Sequence, residues 1–140
     1  MPENYRILVA DDHPFIRKGL ISILEQSNDF SVEGEANDGF ELLNLLDLGV
    51  IPDVLILDLS MPALSGIEVL RRIRQMHFMF KVLVLTMHQE PDILKQALSA
   101  GANGYMLKDE MGTELLNALH VLLENKPYLS PAIIKTLPSK

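Results

Sequence analysis

Cysteine is missing from all 140 residues. Disulfides and thiolate-held metals are thereby excluded, and nothing in the residue usage suggests a secreted fold. No apolar run approaches the roughly 20 residues that cross a bilayer. The opening Met1-Pro2-Glu3-Asn4-Tyr5-Arg6 lacks the basic, apolar and small-residue order of a signal peptide. A cytoplasmic protein with no membrane contact is the expectation. Positive charge is scarce as well: 12 Lys and Arg face 19 Asp and Glu, for a formal net charge of −7. Such a balance argues against this chain gripping nucleic-acid phosphates by itself. Low-complexity segments are absent, and so are internal repeats beyond an alternation of strands and helices.

Hydrophobic residues make up 48% and charged residues 22%, the composition of a globular domain long enough to bury a full core. The stretch Val54-Leu55-Ile56-Leu57-Asp58 organises the rest. Its apolar run reads as a strand buried on both faces. It ends on a carboxylate, followed by a loop rich in Pro, Ser and Gly (Leu59 to Gly66). Open α/β folds place their ligands at that rim of the sheet.

Other runs repeat the pattern. Tyr5 to Ala10 is a strand ending on Asp11-Asp12, and Pro14 suits the first turn of a helix striped by Ile16, Leu20, Ile23 and Leu24. Phe30 to Ala36 is a second strand, and Asn37-Asp38-Gly39 starts a helix carrying Leu42, Leu43, Leu45 and Leu46, stopped by Gly49. Ile67, Leu70 and Ile73 mark a third helix, whose far side (Glu68, Arg71, Arg72, Arg74) reads as solvated. Lys81 to Thr86 is a fourth strand ending on a hydroxyl, and Pro91 opens a helix closed by Gly101. Gly104 to Leu107 is a fifth strand ending on Lys108, and a helix follows from near Gly112 with Leu115, Leu116, Leu119, Leu122 and Leu123 apolar. Residues 125–140 read as a linker or one short helical turn.

This alternation predicts an α/β fold: a doubly wound, five-stranded parallel sheet of (βα)5, flavodoxin-like topology and strand order 2-1-3-4-5. The order brings Asp11 and Asp12 beside Asp58, with Thr86 and Lys108 on the same rim. Two like charges about 4 Å apart repel by roughly 4 kcal/mol at an effective dielectric of 20, against a total fold stability of about 5–15 kcal/mol. Three acids therefore need counter-charge. Lys108 supplies one unit, and an all-oxygen site with room for waters suits Mg²⁺ for the rest. Metal and lysine together can neutralise a transferring phosphoryl group, and a carboxylate can accept it as an acyl phosphate. His13 and His88 are the imidazoles near strand ends, and each is read as structural.

The set Asp11-Asp12, Asp58, Met61-Pro62 with Gly66, Thr86, Tyr105 and Lys108 resembles the receiver domain of bacterial two-component response regulators over residues 5–124. The wording Asp11-Asp12-His13-Pro14 and the tail Tyr128-Leu129-Ser130-Pro131 are most similar to the LuxR-type (NarL/FixJ) transcription regulators. The resemblance implies a phosphoacceptor signalling domain rather than an enzyme, one that assists its own phosphorylation and dephosphorylation. Asp58 would take phosphoryl from a sensor histidine kinase. Asp11, Asp12, Asp58 and the Ser60 backbone carbonyl would hold Mg²⁺, Lys108 would pair with phosphoryl oxygens, Thr86 would bond the phosphoryl group, and Tyr105 would swing inward behind it. The surface shared by the fourth helix, fifth strand and fifth helix would then change and support a homodimer. DNA would be bound only through a helix-turn-helix domain after the linker. The chain stops short of one, so it is expected to be a shortened regulator rather than a stand-alone receiver acting through protein contacts. Residues 1–124 are expected to be the receiver and 125–140 the tail. Where the family's lysine is often followed by a cis proline, Asp109 follows Lys108, which leaves that peptide isomer open.

Overall fold

The computed structural model describes residues 4–61, 64–87 and 90–137. Pro62 of the Met61-Pro62 pair, His88 and the terminal Pro138-Ser139-Lys140 lie outside them. The apolar runs become strands and the amphipathic stretches helices, in the order β1 Tyr5–Ala10, α1 Pro14–Glu25, β2 Phe30–Ala36, α2 Gly39–Asp47, β3 Val54–Asp58, α3 Gly66–Gln75, β4 Lys81–Thr86, α4 Pro91–Ala100 and β5 Gly104–Leu107. A single turn of 3-10 helix, Lys108–Glu110, leads into α5 Met111–Leu123, and the chain continues through β6 Tyr128–Leu129 and α6 Pro131–Ile134. Asp38 and Ser65 cap α2 and α3, their side chains accepting hydrogen bonds from the Glu41 and Glu68 N–H groups.

All strand pairs are parallel, in the order β2-β1-β3-β4-β5-β6. The continuous apolar runs have a simple reason: alternate residues feed two separate cores. Leu8, Leu55, Leu57, Val82, Val84 and Tyr105 pack with Leu42 and Leu46 of α2, Val69, Leu70 and Ile73 of α3, and Leu94 and Ala97 of α4. Ile7, Val9, Ile56, Leu83, Leu85 and Met106 face the other way, against Leu20 and Leu24 of α1 and Leu115, Leu119 and Leu122 of α5. Both layers are apolar and buried, as a doubly wound parallel sheet requires.

Two expectations are corrected. The short helical turn expected in the tail is present as α6, but Tyr128–Leu129 before it adds a sixth strand to the expected five. The Tyr128 and Ser130 N–H groups donate to the Asn103 and Tyr105 carbonyls, covering the open edge of β5. Tyr128 and Ile133 are buried. A two-residue strand is too short to show periodicity. Arg74, for its part, does not belong to a solvated face. It folds under the sheet and donates to the carbonyls of Phe78, Phe80 and Gly101 and to Asn103 Oδ1. It thereby ties the end of α3 to the start of β4 and the α4–β5 turn. Arg71 and Arg72 do remain exposed, near Glu68. Cis peptide bonds are absent among the described residues, so Lys108–Asp109 is trans.

Candidate functional site

Strand register assembles the site. Ala10 lies opposite Leu57, Asp58 opposite Leu85, and Thr86 opposite Leu107. The residues at or just past these strand ends therefore meet at one rim. Asp58 and Thr86 are fully buried, and Asp11 and Lys108 are nearly so. Hydrogen bonds fix the loops: the Asp11 N–H donates to the Ala36 carbonyl, and the Arg17 guanidinium donates to the Asp11 carbonyl and to Asn37 Oδ1. The Ser60 N–H, in the turn after β3, donates to Asp58 Oδ1 at 3.1 Å. Gly66 lets α3 start hard against the strand end, since a Cβ there would sit 2.6 Å from the Asp58 carbonyl oxygen.

Lys108 Nζ lies 3.2 Å from Asp11 Oδ2 and 3.3 Å from Asp58 Oδ1. One ammonium thus serves two buried carboxylates. Burial pushes the Asp58 carboxyl above its ordinary range and the Asp11 charge adds to this, while the Ser60 N–H and Lys108 pull it back. Asp12 Oδ1 and Asp58 Oδ2 are buried without a hydrogen-bond partner, and Asp11 Oδ2 has only the Lys108 ammonium beside it. Orphaned acceptors of this kind fit a cation, and Asp11, Asp12, His13 and Asp58 each offer a ligand atom within 4.8 Å of the others.

His13, expected to be structural, is the fourth member of this group. It caps the start of α1 with extended backbone, and its N–H donates to Asp11 Oδ1 at 2.8 Å. That turn swings the ring over the acids, placing Nδ1 3.1 Å from Asp11 Oδ1 and 3.0 Å from Asp12 Oδ1. Its place directly after two adjacent acids was the only signal available.

Tyr105, expected to swing inward behind Thr86, lies in the interior of the sheet. It is fully buried already, with a side-chain hydrogen bond to Thr86. Burial raises its phenol above the ordinary value, the Thr86 bond lowers it and the Glu90 charge raises it further. Glu90, not singled out from sequence, thus belongs electrostatically to the Thr86–Tyr105 pair.

No described helix is long and apolar enough to cross a membrane. The family model "Response regulator receiver domain" matches residues 7–120. The chain is 37% identical over 133 residues to a probable transcriptional regulatory protein NarL of Mycobacterium tuberculosis, spanning 95% of this chain and 61% of that protein. It is 34% identical over 135 residues to the nitrate/nitrite response regulator protein NarL of Escherichia coli, covering 96% and 62% respectively. It therefore spans about three-fifths of the length of these relatives. Among solved structures, a LuxR-family two-component response regulator from Aurantimonas superposes with TM-score 0.89 at 34% identity, covering 96% of this chain and 95% of that one. With the parallel sheet, the acid rim and this match in hand, the chain belongs to the response regulator receiver domain family, among relatives of the NarL and LuxR type.

Proposed function

We propose that Asp58 is the phosphoacceptor of a two-component relay, taking its phosphoryl group from a phosphohistidine of a sensor kinase. An Asp58 carboxylate oxygen would attack phosphorus, the P–N bond to the donor imidazole would break, and an acyl phosphate would form. The observation that carries this reading is a fully buried strand-end carboxylate with an ammonium 3.3 Å away and two further acids beside it. The two buried acid oxygens left without a hydrogen bond, Asp12 Oδ1 and Asp58 Oδ2, support a divalent cation, and Mg²⁺ matches hard oxygen donors best. In that role Asp11, Asp12, Asp58 and the Ser60 backbone carbonyl hold the ion, which when bound neutralises phosphoryl oxygens. Lys108 pairs with another phosphoryl oxygen.

Thr86 is the residue to bond the phosphoryl group from β4. In doing so it leaves Tyr105, so the perturbation passes into α4, β5 and α5. That surface is the candidate for homodimer contact. Because the NarL relatives extend past this chain and are named as regulators, the reading includes a DNA-binding output domain beyond the tail, in preference to a stand-alone receiver.

Incubation with a small acyl phosphate and Mg²⁺, followed by intact-mass measurement, tests the proposal. One added phosphoryl group is expected, lost in EDTA and lost in Asp58→Asn. An Asp58→Asn protein that gains phosphoryl at the wild-type rate refutes it. In the same phosphorylated sample, amide NMR shifts should reach from Thr86 through Leu123. Shifts confined to the acid cluster would refute the switch.

A further inference from the structure

We infer that His13 is a metal-selectivity residue: its Nδ1 is a protein donor to the acid site, which therefore takes a nitrogen-accepting late first-row cation more tightly than Mg²⁺. The inference rests on the acid cluster being a divalent cation site and adds a ligand to it. Donors on adjacent corners of an octahedral ion, each at about 2.1 Å, stand about 3.0 Å apart. His13 Nδ1 meets that spacing twice, at 3.0 Å from Asp12 Oδ1 and 3.1 Å from Asp11 Oδ1. It is 3.8 Å from Asp58 Oδ2, between the spacings for adjacent and opposite corners.

The ring nitrogen has other partners, Asp11 Oδ1 at 3.1 Å and the Lys108 ammonium at 3.4 Å, but these leave two acid oxygens facing it unbonded. Asp12 Oδ1 is within 3.0 Å of the ring nitrogen yet has no hydrogen bond, and the fully buried Asp58 Oδ2 likewise faces it without one. These orphaned oxygens are the second observation, beyond the acidic cluster itself, that points to an ion between them. Packing does not hold the ring, since its side chain is 54% exposed. The backbone aims it instead, through the His13 N–H bond to Asp11 Oδ1 and the extended cap of α1. A site of carboxylates alone suits Mg²⁺, whereas one imidazole among carboxylates raises affinity along the series toward Co²⁺, Ni²⁺ and Zn²⁺.

Calorimetric titration with Mg²⁺ and with Co²⁺, on wild type, His13→Ala and Asp12→Asn, separates the two readings. Histidine occurs at four positions, so His13→Ala leaves three others as a common background. The expected result is a loss of about tenfold or more in Co²⁺ affinity in His13→Ala, with Mg²⁺ affinity changed less than about twofold. Asp12→Asn should weaken both ions. Co²⁺-loaded wild type should also show a hyperfine-shifted imidazole N–H proton that His13→Ala lacks. Equal Co²⁺ affinity in wild type and His13→Ala, with Mg²⁺ still bound, overturns this inference and leaves the cation site standing. Tighter Mg²⁺ binding in His13→Ala with Co²⁺ unchanged also overturns it, showing the ring to be only a counter-charge. If wild type binds neither ion, the cation reading falls with it.

Discussion

Gly66 is where a single hydrogen atom decides the geometry of the acid rim. A Cβ at this position would meet backbone on two sides, 2.6 Å from the Asp58 carbonyl oxygen and 2.7 Å from Leu59 Cα. Neither atom can rotate away as a side-chain tip would. Gly66→Ala should therefore push the first turn of α3 off the end of β3 and lower stability by about 1–3 kcal/mol. Urea melts of the two proteins check this, and an unchanged midpoint contradicts it. At this scale the sequence was legible where position alone fixes a role. Asp11, Asp58, Thr86 and Lys108 had to converge once the strand order was set. Side-chain direction was not legible. Neither the turn that aims His13 at the acids nor the path of Arg74 under the sheet is written in periodicity. An arginine at a helix end looks the same in sequence whether it meets water or the three carbonyls that Arg74 reaches.

At the scale of elements, the tail behaves as a strap over the edge of the sheet. The Tyr128 hydroxyl donates to Glu114 on α5, the Ala132 N–H donates to Glu110, and β6 zips onto β5 beside Tyr105. Burial holds the Tyr128 phenol well above its ordinary value of 10.0, with the hydrogen bond and charge of Glu114 and the charge of Glu110 adding to it. As pH climbs past that ordinary value the unfolded chain releases this proton first. The folded state then binds more protons than the unfolded one, so stability falls with rising pH. Tyr128→Phe has no proton to hold. The stability advantage of wild type over Tyr128→Phe should therefore shrink between about pH 9 and pH 11. Paired urea melts across that range measure it, and a flat difference contradicts the strap's electrostatics. Helices and five of the strands were readable because their patterns run over several residues. The short helical turn of the tail was readable, but the strand before it was not, because two strand residues carry almost no pattern and their docking depends on partners far away in sequence.

Across the whole molecule, two buried apolar layers on a parallel sheet hold a poorly compensated group of charges at one edge. The interior packing is what makes that cost bearable, and the charges are what the fold is organised to present. Asp58 is the pivot. Replacing it with Asn keeps shape and hydrogen-bonding capacity while deleting one negative charge. Lys108 is not orphaned by the change, because Asp11 Oδ2 stays 3.2 Å from its ammonium.

Removal of that charge should relieve repulsion with Asp11 and the desolvation that raises the Asp58 carboxyl. The most direct test of the account is the unfolding free energy of wild type and Asp58→Asn, by urea melts in EDTA and again in Mg²⁺. In EDTA the variant should be more stable by about 1–3 kcal/mol, below the bare Coulomb value because Lys108 and solvent screen the cluster. Added Mg²⁺ should stabilise wild type more than the variant, since the ion binds the native state. An Asp58→Asn protein that unfolds at lower urea than wild type in EDTA would show that the acids do not repel one another, and would contradict the account at its centre.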